Sequence, residues 1–266
     1  MSNSIRKWVF LLLVPVLILA ILGSVGSPSH GVSVQSANID MNDKDSLQRG
    51  ARNYISYCIG CHSLKFSRYN RVAKDIGLDE DHGFSEDDVT TLLKENLIFT
   101  YDEDGKQDKV GALMKSAYSP KAAAEAFGTS IPDLSVVSRA RGADWIYSYL
   151  KGFYLDDSRP MGVNNTIFKD VGMPHVLADL QGYQILEHSE SEGEHHGAPK
   201  LTMSKAGKLS AVEYDTFVRD LTNFLTYVGE PAQLSRKTYG IFTMLFLLLF
   251  LFVAVLLEKE YWKDIH

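Results

Sequence analysis

Apolar positions gather into two uncharged blocks near the ends of the chain and recur at helical spacing between them. The first block, Val9 to Leu22, reads VFLLLVPVLILAIL, follows Arg6 and Lys7, and gives way to Gly23, Ser24, Gly26 and Ser27. A basic start, a short apolar stretch and then small residues form the pattern of an export signal. Its fourteen residues, interrupted by Pro15, fall short of a full membrane span, which takes roughly 18 to 20. Residues 1–36 are assigned to this signal, with cleavage expected between Gly23 and Ala37 and an uncleaved anchor as the alternative. The second block, Tyr239 to Leu257, runs nineteen residues without a charge and has only Thr243 to interrupt its apolar surface. A buried soluble helix keeps a polar stripe, which this block lacks, and Tyr239, Tyr261 and Trp262 stand where interfacial aromatics gather. Residues 236–258 are predicted to form a transmembrane anchor, with 259–266 as a cytoplasmic tail. Arg236 and Lys237 before it balance Lys259 and Lys263 after it, so orientation comes from the export signal. The segment between the blocks is exported, and His266 ends in the cytoplasm.

Residues 37–235 remain for one water-soluble domain. Leu47, Ala51, Tyr54, Ile55 and Cys58 recur at helical spacing, predicting a first helix from about Leu47 into the cysteines. Ser85 and Asp88 resemble a capping box that opens a helix through about Leu93. Ala143 to Phe153 reads as an aromatic-rich helix. Phe217, Leu221, Phe224, Leu225 and Val228 mark a further amphipathic helix, stopped by Gly229 and Pro231. No long period-two run announces a sheet; Asp156 to Pro174 reads as irregular loop and His188 to Lys200 as a polar loop. The expected class is mainly α with long irregular loops.

Composition narrows the function. A hydrophobic share of 45% and a charged share of 23% exclude disorder as a description of the whole chain. Thirty-three acidic against 27 basic side chains give a net charge of −6, which argues against nucleic acid as a partner. Removing the signal takes away Arg6 and Lys7 but no acid, so the exported part is more acidic still. With two cysteines in 266 residues the chain is no disulfide-dense scaffold.

Both cysteines fall in Cys58-Ile59-Gly60-Cys61-His62. Two thiols three positions apart can add to the two vinyl groups of a haem while the adjacent imidazole ligates the iron from the same side. A redox Cys-x-x-Cys has no need of that histidine, and a zinc site needs a second pair of ligands. There is no third cysteine, and His82, His175, His188, His195 and His196 have no finger spacing. The motif therefore predicts a cytochrome c-like domain holding one covalent haem c. His62 takes one axial position; methionine or histidine from distant sequence takes the other. Met1 and Met41 lie near the terminus and Met244 in the anchor, leaving Met114, Met161, Met173 and Met203. Met173 is the best placed, because Gly172 lets the backbone approach and Pro174 stiffens the loop behind the thioether. Met161, beside Pro160, comes second, and His175 is the histidine alternative.

An ordered set of segments accompanies the motif. Arg49-Gly50-Ala51-Arg52 leads into CIGCHS, followed by Pro132-Asp133-Leu134-Ser135 and Arg139-Ala140-Arg141-Gly142. Then come Val171-Gly172-Met173-Pro174, Glu230-Pro231 and the tail Tyr261-Trp262-Lys263-Asp264-Ile265-His266. Together they span the chain from about residue 40 to its end, and the chain resembles the cytochrome c1 family of bacterial cytochrome bc1 complexes. The resemblance implies Cys58 and Cys61 as thioether positions, His62 and Met173 as axial ligands, and Arg141 as the arginine that meets a haem propionate, with Arg139 as its alternative. It implies that Pro132 and Leu134 line the haem crevice. The family often carries two prolines before Asp-Leu-Ser; here the first is Ile131, a departure that bears on packing and not on ligation.

The resemblance also implies a route and partners. The Rieske iron–sulfur protein delivers one electron at a time, and a soluble or membrane-attached cytochrome c receives it. The chain would sit beside cytochrome b in a dimeric complex in the lipid bilayer of the bacterial inner membrane, with the haem domain in the periplasm. No flavin or nicotinamide fingerprint, nucleophile–base pair or catalytic carboxylate pair is present, so no catalysis of its own is expected. The alternatives are a stand-alone membrane-tethered shuttle and a haem enzyme with a labile distal ligand. Asp79-Glu80-Asp81, Glu86-Asp87-Asp88 and Asp102-Glu103-Asp104 are either wet surface or acid that steers a cationic cytochrome c. His195 and His196 among Glu190, Glu192 and Glu194 are read as a solvated loop rather than a metal site. Asp102 to Gly105 resembles a fragment of a calcium loop, without the acidic residue needed at Leu113.

Overall fold

Asp43 opens the first helix, α1 (Lys44–Tyr57), by accepting the Ser46 N–H on its side chain, and the helix stops at Cys58. In this computed structural model, which describes residues 34–102, 104–187 and 200–264, α1 packs on α8 (Ala211–Gly229). The elements between them run β1 (Leu64–Arg68), α2 (Tyr69–Asp75), α3 (Glu86–Asn96), β2 (Leu113–Met114), α4 (Pro120–Phe127), α5 (Val137–Arg141) and α6 (Ala143–Lys151). They continue through β3 (Phe153–Leu155), β4 (Val163–Asn165), α7 (Ala178–Gln181), β5 (Gly182–Glu187) and β6 (Lys200–Ala206). The last helix is α9 (Gln233–Tyr261). The protein is mainly α.

The α1–α8 contact organises the core. Leu47, Ala51 and Tyr54 on α1 meet Leu221, Phe224 and Val228 on α8, all buried, and the Tyr54 and Phe224 rings lie 5.7 Å apart. Gly50 lets the backbones touch: a Cβ there would stand 2.1 Å from the Asp220 carbonyl oxygen. Asp220 is itself buried, but Ser46 Oγ donates to it at 2.7 Å and Arg49 Nε at 2.6 Å, so its charge is met. Tyr227 Oη reaches across to Asp75 at 2.9 Å, and Tyr214 Oη to the Leu150 carbonyl at 2.9 Å.

Several elements differ from their sequence expectation. The helix expected over Ala143 to Phe153 ends at Lys151, because Gly152 lies so close to Thr166 that a Cβ would come within 2.6 Å of its Oγ1. Phe153 instead begins β3, which pairs antiparallel with β4 inside the segment expected to be irregular. A second hairpin-like pair, β5 with β6, flanks the polar loop, and β1 pairs with β2. All three ladders have two strands, so their alternation is short and half-exposed and leaves little periodic trace. The Ser85–Asp88 capping box is present at the start of α3. The same device, Ser210 with Glu213, opens α8 six residues before the first apolar position read from its pattern.

The first described residues are bound to α6. Gln35 N–H donates to Ser148 Oγ at 2.8 Å, and Ala37 N–H to Asp144 Oδ1 at 2.8 Å. The export signal, the His195/His196 loop and His266 lie outside the described residues. Among the described residues one helix, α9, is long and apolar enough to cross a membrane. Its 29 residues span about 43 Å at the α-helical rise, more than a hydrocarbon core requires. Glu230, just after α8, binds Arg139 at 2.7 Å and also Arg236 in the first turn of α9.

Candidate haem site

The end of α1 turns directly into the cysteine motif. Cys58 N–H still bonds the Tyr54 carbonyl at 2.8 Å, and the N–H groups of Cys61 and His62 fold back on the Cys58 carbonyl at 3.0 and 2.8 Å. This single turn places both thiols and the imidazole on one short stretch of chain. Both cysteines are free and half-buried. Burial, with Cys61 beside it, pushes the Cys58 thiol up to about 12. A redox dithiol is favoured by a thiol lowered toward neutrality, the opposite of the shift at Cys58. Among the described residues no three His, Cys, Asp or Glu side chains gather into a metal cluster.

His62 is fixed at two further points. Its carbonyl accepts the Tyr54 hydroxyl at 2.6 Å, which ties the motif to the core. Its Nδ1 lies 2.8 Å from the Pro132 carbonyl. Only a protonated Nδ1 can donate to a carbonyl, so Nε2 carries the free lone pair that a metal needs. Burial lowers the basicity of the ring, a fall only partly offset by the Pro132 bond, and the imidazole is held neutral. The Pro132 loop is in turn bound to β1: Leu134 N–H donates to the Ser63 carbonyl at 2.9 Å, and Asp133 accepts from Ser63 Oγ at 2.7 Å. Leu134 packs half-buried against the main core, as does Cys58, while Pro132 is exposed.

Met173 lies half-buried beside a second small cluster of Phe153, Val163 and Val171. Tyr149 packs on both clusters, and its hydroxyl approaches Met173 Sδ at 3.4 Å. The loop that carries Met173 is shaped by two buried asparagines of β4. Asn164 Oδ1 accepts the Asp170 N–H at 2.8 Å, and Asn165 Oδ1 accepts those of Ile167 and Phe168 at 2.9 and 3.2 Å. Asn165 Nδ2 returns to the Tyr149 carbonyl at 2.8 Å. Asp170 takes a left-handed φ of 61°, a conformation aspartate tolerates better than most residues. Arg159 closes on both its carboxylate and its carbonyl, at 3.0 and 3.1 Å.

The other candidate ligands are placed differently. Met114 is fully buried in the main core, whereas Met161 and Met203 are exposed. His175 stacks flat on Phe153 at 4.8 Å and meets Tyr183 edge-on. Burial pushes its imidazole down to about 4, so it is neutral at physiological pH. Arg141 is exposed, with its guanidinium 5.1 Å from the centre of Trp145 and 5.9 Å from that of Phe168. Asp144, the surface partner it could have taken, instead accepts the Ala37 N–H. Arg139 is engaged with Glu230 near the anchor.

The sequence reading missed Asp133, Tyr54, Tyr149 and the Asn164–Asn165 pair. Asp133 lay within a quoted motif; the others act through contacts that no local pattern announces. The acidic runs have local structural work. Asp88 caps α3, Asp79 pairs with His82 at 2.5 Å, and Asp102 Oδ1 accepts the N–H groups of Asp104 and Lys106 to form a tight turn. That turn consumes a carboxylate oxygen a calcium loop would have used.

Free thiols ahead of a neutral, oriented histidine suit covalent haem far better than zinc or disulfide chemistry. Joined to α9, a helix long and apolar enough to cross a membrane, they point to the class of membrane-anchored c-type cytochromes. The Cytochrome C1 family matches residues 35–193 and 205–265. A cytochrome c1 of Allochromatium vinosum is 48% identical over 259 residues, covering 97% of each chain. A protein of Nitrosomonas europaea named ammonia monooxygenase gamma subunit is 45% identical, covering 90% of this chain and 92% of its own. A Bradyrhizobium diazoefficiens cytochrome b/c1 is 25% identical, covering 84% of this chain and 34% of its own. The chain belongs to the cytochrome c1 family. Haem c is therefore its cofactor, electron transfer its function and the membrane its place.

Proposed function

We propose that the chain carries one haem c, bound through thioethers at Cys58 and Cys61 and ligated by His62 and Met173. On this reading it takes one electron at a time from the Rieske iron–sulfur protein and passes it to a soluble or membrane-attached cytochrome c, within a quinol–cytochrome c reductase. Its neighbour is cytochrome b, an assignment supported by the relative in which b and c1 share one name. The haem domain faces the periplasm of the inner membrane, α9 crosses it once, and the complex is dimeric. The observation that carries the reading is the bond from His62 Nδ1 to the Pro132 carbonyl, which leaves Nε2 free for a metal.

A haem held there would supply one-electron redox chemistry, with His62 and Met173 as the residues that would hold its iron. The residues of the chain do the rest. Cys58 and Cys61 fix the group to the end of α1, and His62 offers a lone pair in a set orientation. Met173 offers a soft thioether, which favours the ferrous state and a high potential. Pro132 and Leu134 line the crevice, and Arg141, with no carboxylate at its guanidinium among the ion pairs of the described residues, meets a propionate. His175, the histidine alternative, stacks on Phe153 through the face of its ring.

Three experiments test the proposal. Haem should stay with the polypeptide in acid acetone, and the detergent-solubilised protein should co-purify with cytochrome b; extractable haem, or purification without cytochrome b, would refute the corresponding half. Truncation before Tyr239 should release a haem-loaded protein from the membrane, whereas a truncated chain still bound to membrane would make Val9 to Leu22 a retained anchor.

A further inference from the structure

The Pro132 carbonyl that orients His62 comes from seventy residues away in sequence, and proline has no N–H with which to anchor itself. Its neighbour Asp133 makes the attachment. Asp133 Oδ2 accepts from Ser63 Oγ at 2.7 Å and from Lys65 N–H at 2.9 Å, while Oδ1 accepts the Ser135 N–H at 3.0 Å. Leu134 N–H to the Ser63 carbonyl and Phe66 N–H to Ser135 Oγ, at 2.9 and 3.2 Å, complete the seam. One carboxylate thus grips the chain one and three residues after His62 and folds the loop that presents the carbonyl. Burial works to raise the Asp133 pKa, but the hydrogen bonds from Ser135, Lys65 and Ser63 outweigh it and keep the group ionised.

We propose that Asp133 is a positioning residue for His62: its carboxylate holds the Pro132 carbonyl against Nδ1 and so sets how strongly the imidazole donates through Nε2. The inference rests on His62 being the proximal ligand. A firm N–H···O=C bond makes the ring a stronger donor, which favours ferric iron. Loosening that bond weakens donation, so the reduction potential should rise. His62 itself, both thioethers and the Met173 loop are untouched by the change.

The test uses the full-length, haem-loaded protein in detergent, with Asp133→Ala, Asp133→Asn and Ser63→Ala. Two quantities are read: the reduction potential, and the solvent exchange of the His62 Nδ1 proton by NMR. In Asp133→Ala the potential should rise and the proton should exchange roughly tenfold faster, the effect of losing about one hydrogen bond's worth of protection. Asp133→Asn keeps an oxygen acceptor and should restore most of both readouts. Ser63→Ala, which removes one donor to the carboxylate, should move both in the same direction by less, and it serves if Asp133→Ala does not load haem. Wild-type potential and exchange in both Ala variants would overturn the proposal. So would a rise in potential that comes with loss of the thioether absorption, because the disturbance would then lie on the Met173 side. Should the wild-type spectra show that His62 is not a ligand at all, the underlying reading falls and takes this one with it.

Discussion

His62 follows a fourteen-residue helix packed into the main core, whereas Met173 sits on a loop whose shape depends on two asparagines and an arginine. The first is held by apolar burial and a close helix–helix approach, which respond only to global unfolding. The second is held by side chains that satisfy backbone N–H groups within a few residues of themselves. Such a loop can open while the core stays closed, since its local stability is separate from that of the α1–α8 pair. The two sides of the proposed iron site should therefore fail in different ways.

The largest expected effect is on attachment. Cys58→Ala with Cys61→Ala should abolish covalent haem altogether, read as loss of haem staining after denaturing electrophoresis. Retained covalent haem would mean that another group holds it. Gly50→Ala should come next and act on the whole domain. Its helix propensity gain, about 1 kcal/mol, is outweighed by a Cβ driven into the backbone of α8, and a net loss of about 2 kcal/mol or more is expected. Thermal unfolding of the detergent-solubilised chain should fall for every probe together.

Asn165→Ala should break the other side. It leaves three backbone groups without their partner, at a cost of roughly 2 kcal/mol. The thioether absorption should melt well below the temperature at which far-ultraviolet circular dichroism is lost. If the two are lost together, the Met173 loop is not an independent unit. Tyr149→Phe should do least. It removes a weak hydroxyl–sulfur contact at 3.4 Å, worth under about 1 kcal/mol, so Met173 stays bound. With the donor gone the sulfur donates more freely, and redox titration should show a slightly altered potential with the thioether absorption intact.

The same contrast explains what could be read in advance. Cys58, Cys61 and His62 are legible because the proposed covalent attachment would need them in one turn, so that chemistry is written in local spacing. The sequence favours Met173 over Met161 through Gly172 and Pro174; in the structure Met173 is half-buried, Met161 exposed and Met114 fully buried. The Asn164–Asn165 network left no trace, because a side chain bonding the backbone two to six residues on has no periodicity. Asp133 was visible as a motif member, yet its grip on Ser63 and Lys65 joins segments far apart in the chain. The helices with capping boxes were readable from both ends in principle; Ala211, Val212 and Tyr214 carry the apolar pattern of α8 back to its Ser210 cap.

The central claim is that Met173 is the distal ligand. Met173→Leu keeps the volume and removes the sulfur, so the fold should persist. The measurement is the absorption spectrum of the resting oxidised protein, followed by reduction under carbon monoxide. The variant should lose the weak thioether-to-ferric charge-transfer absorption and its ferrous form should bind carbon monoxide, while Met161→Leu and Met203→Leu keep the wild-type spectrum. A Met173→Leu protein that retains the absorption, with Met161→Leu losing it, would contradict the assignment; a wild-type spectrum with two nitrogen ligands would move it to His175.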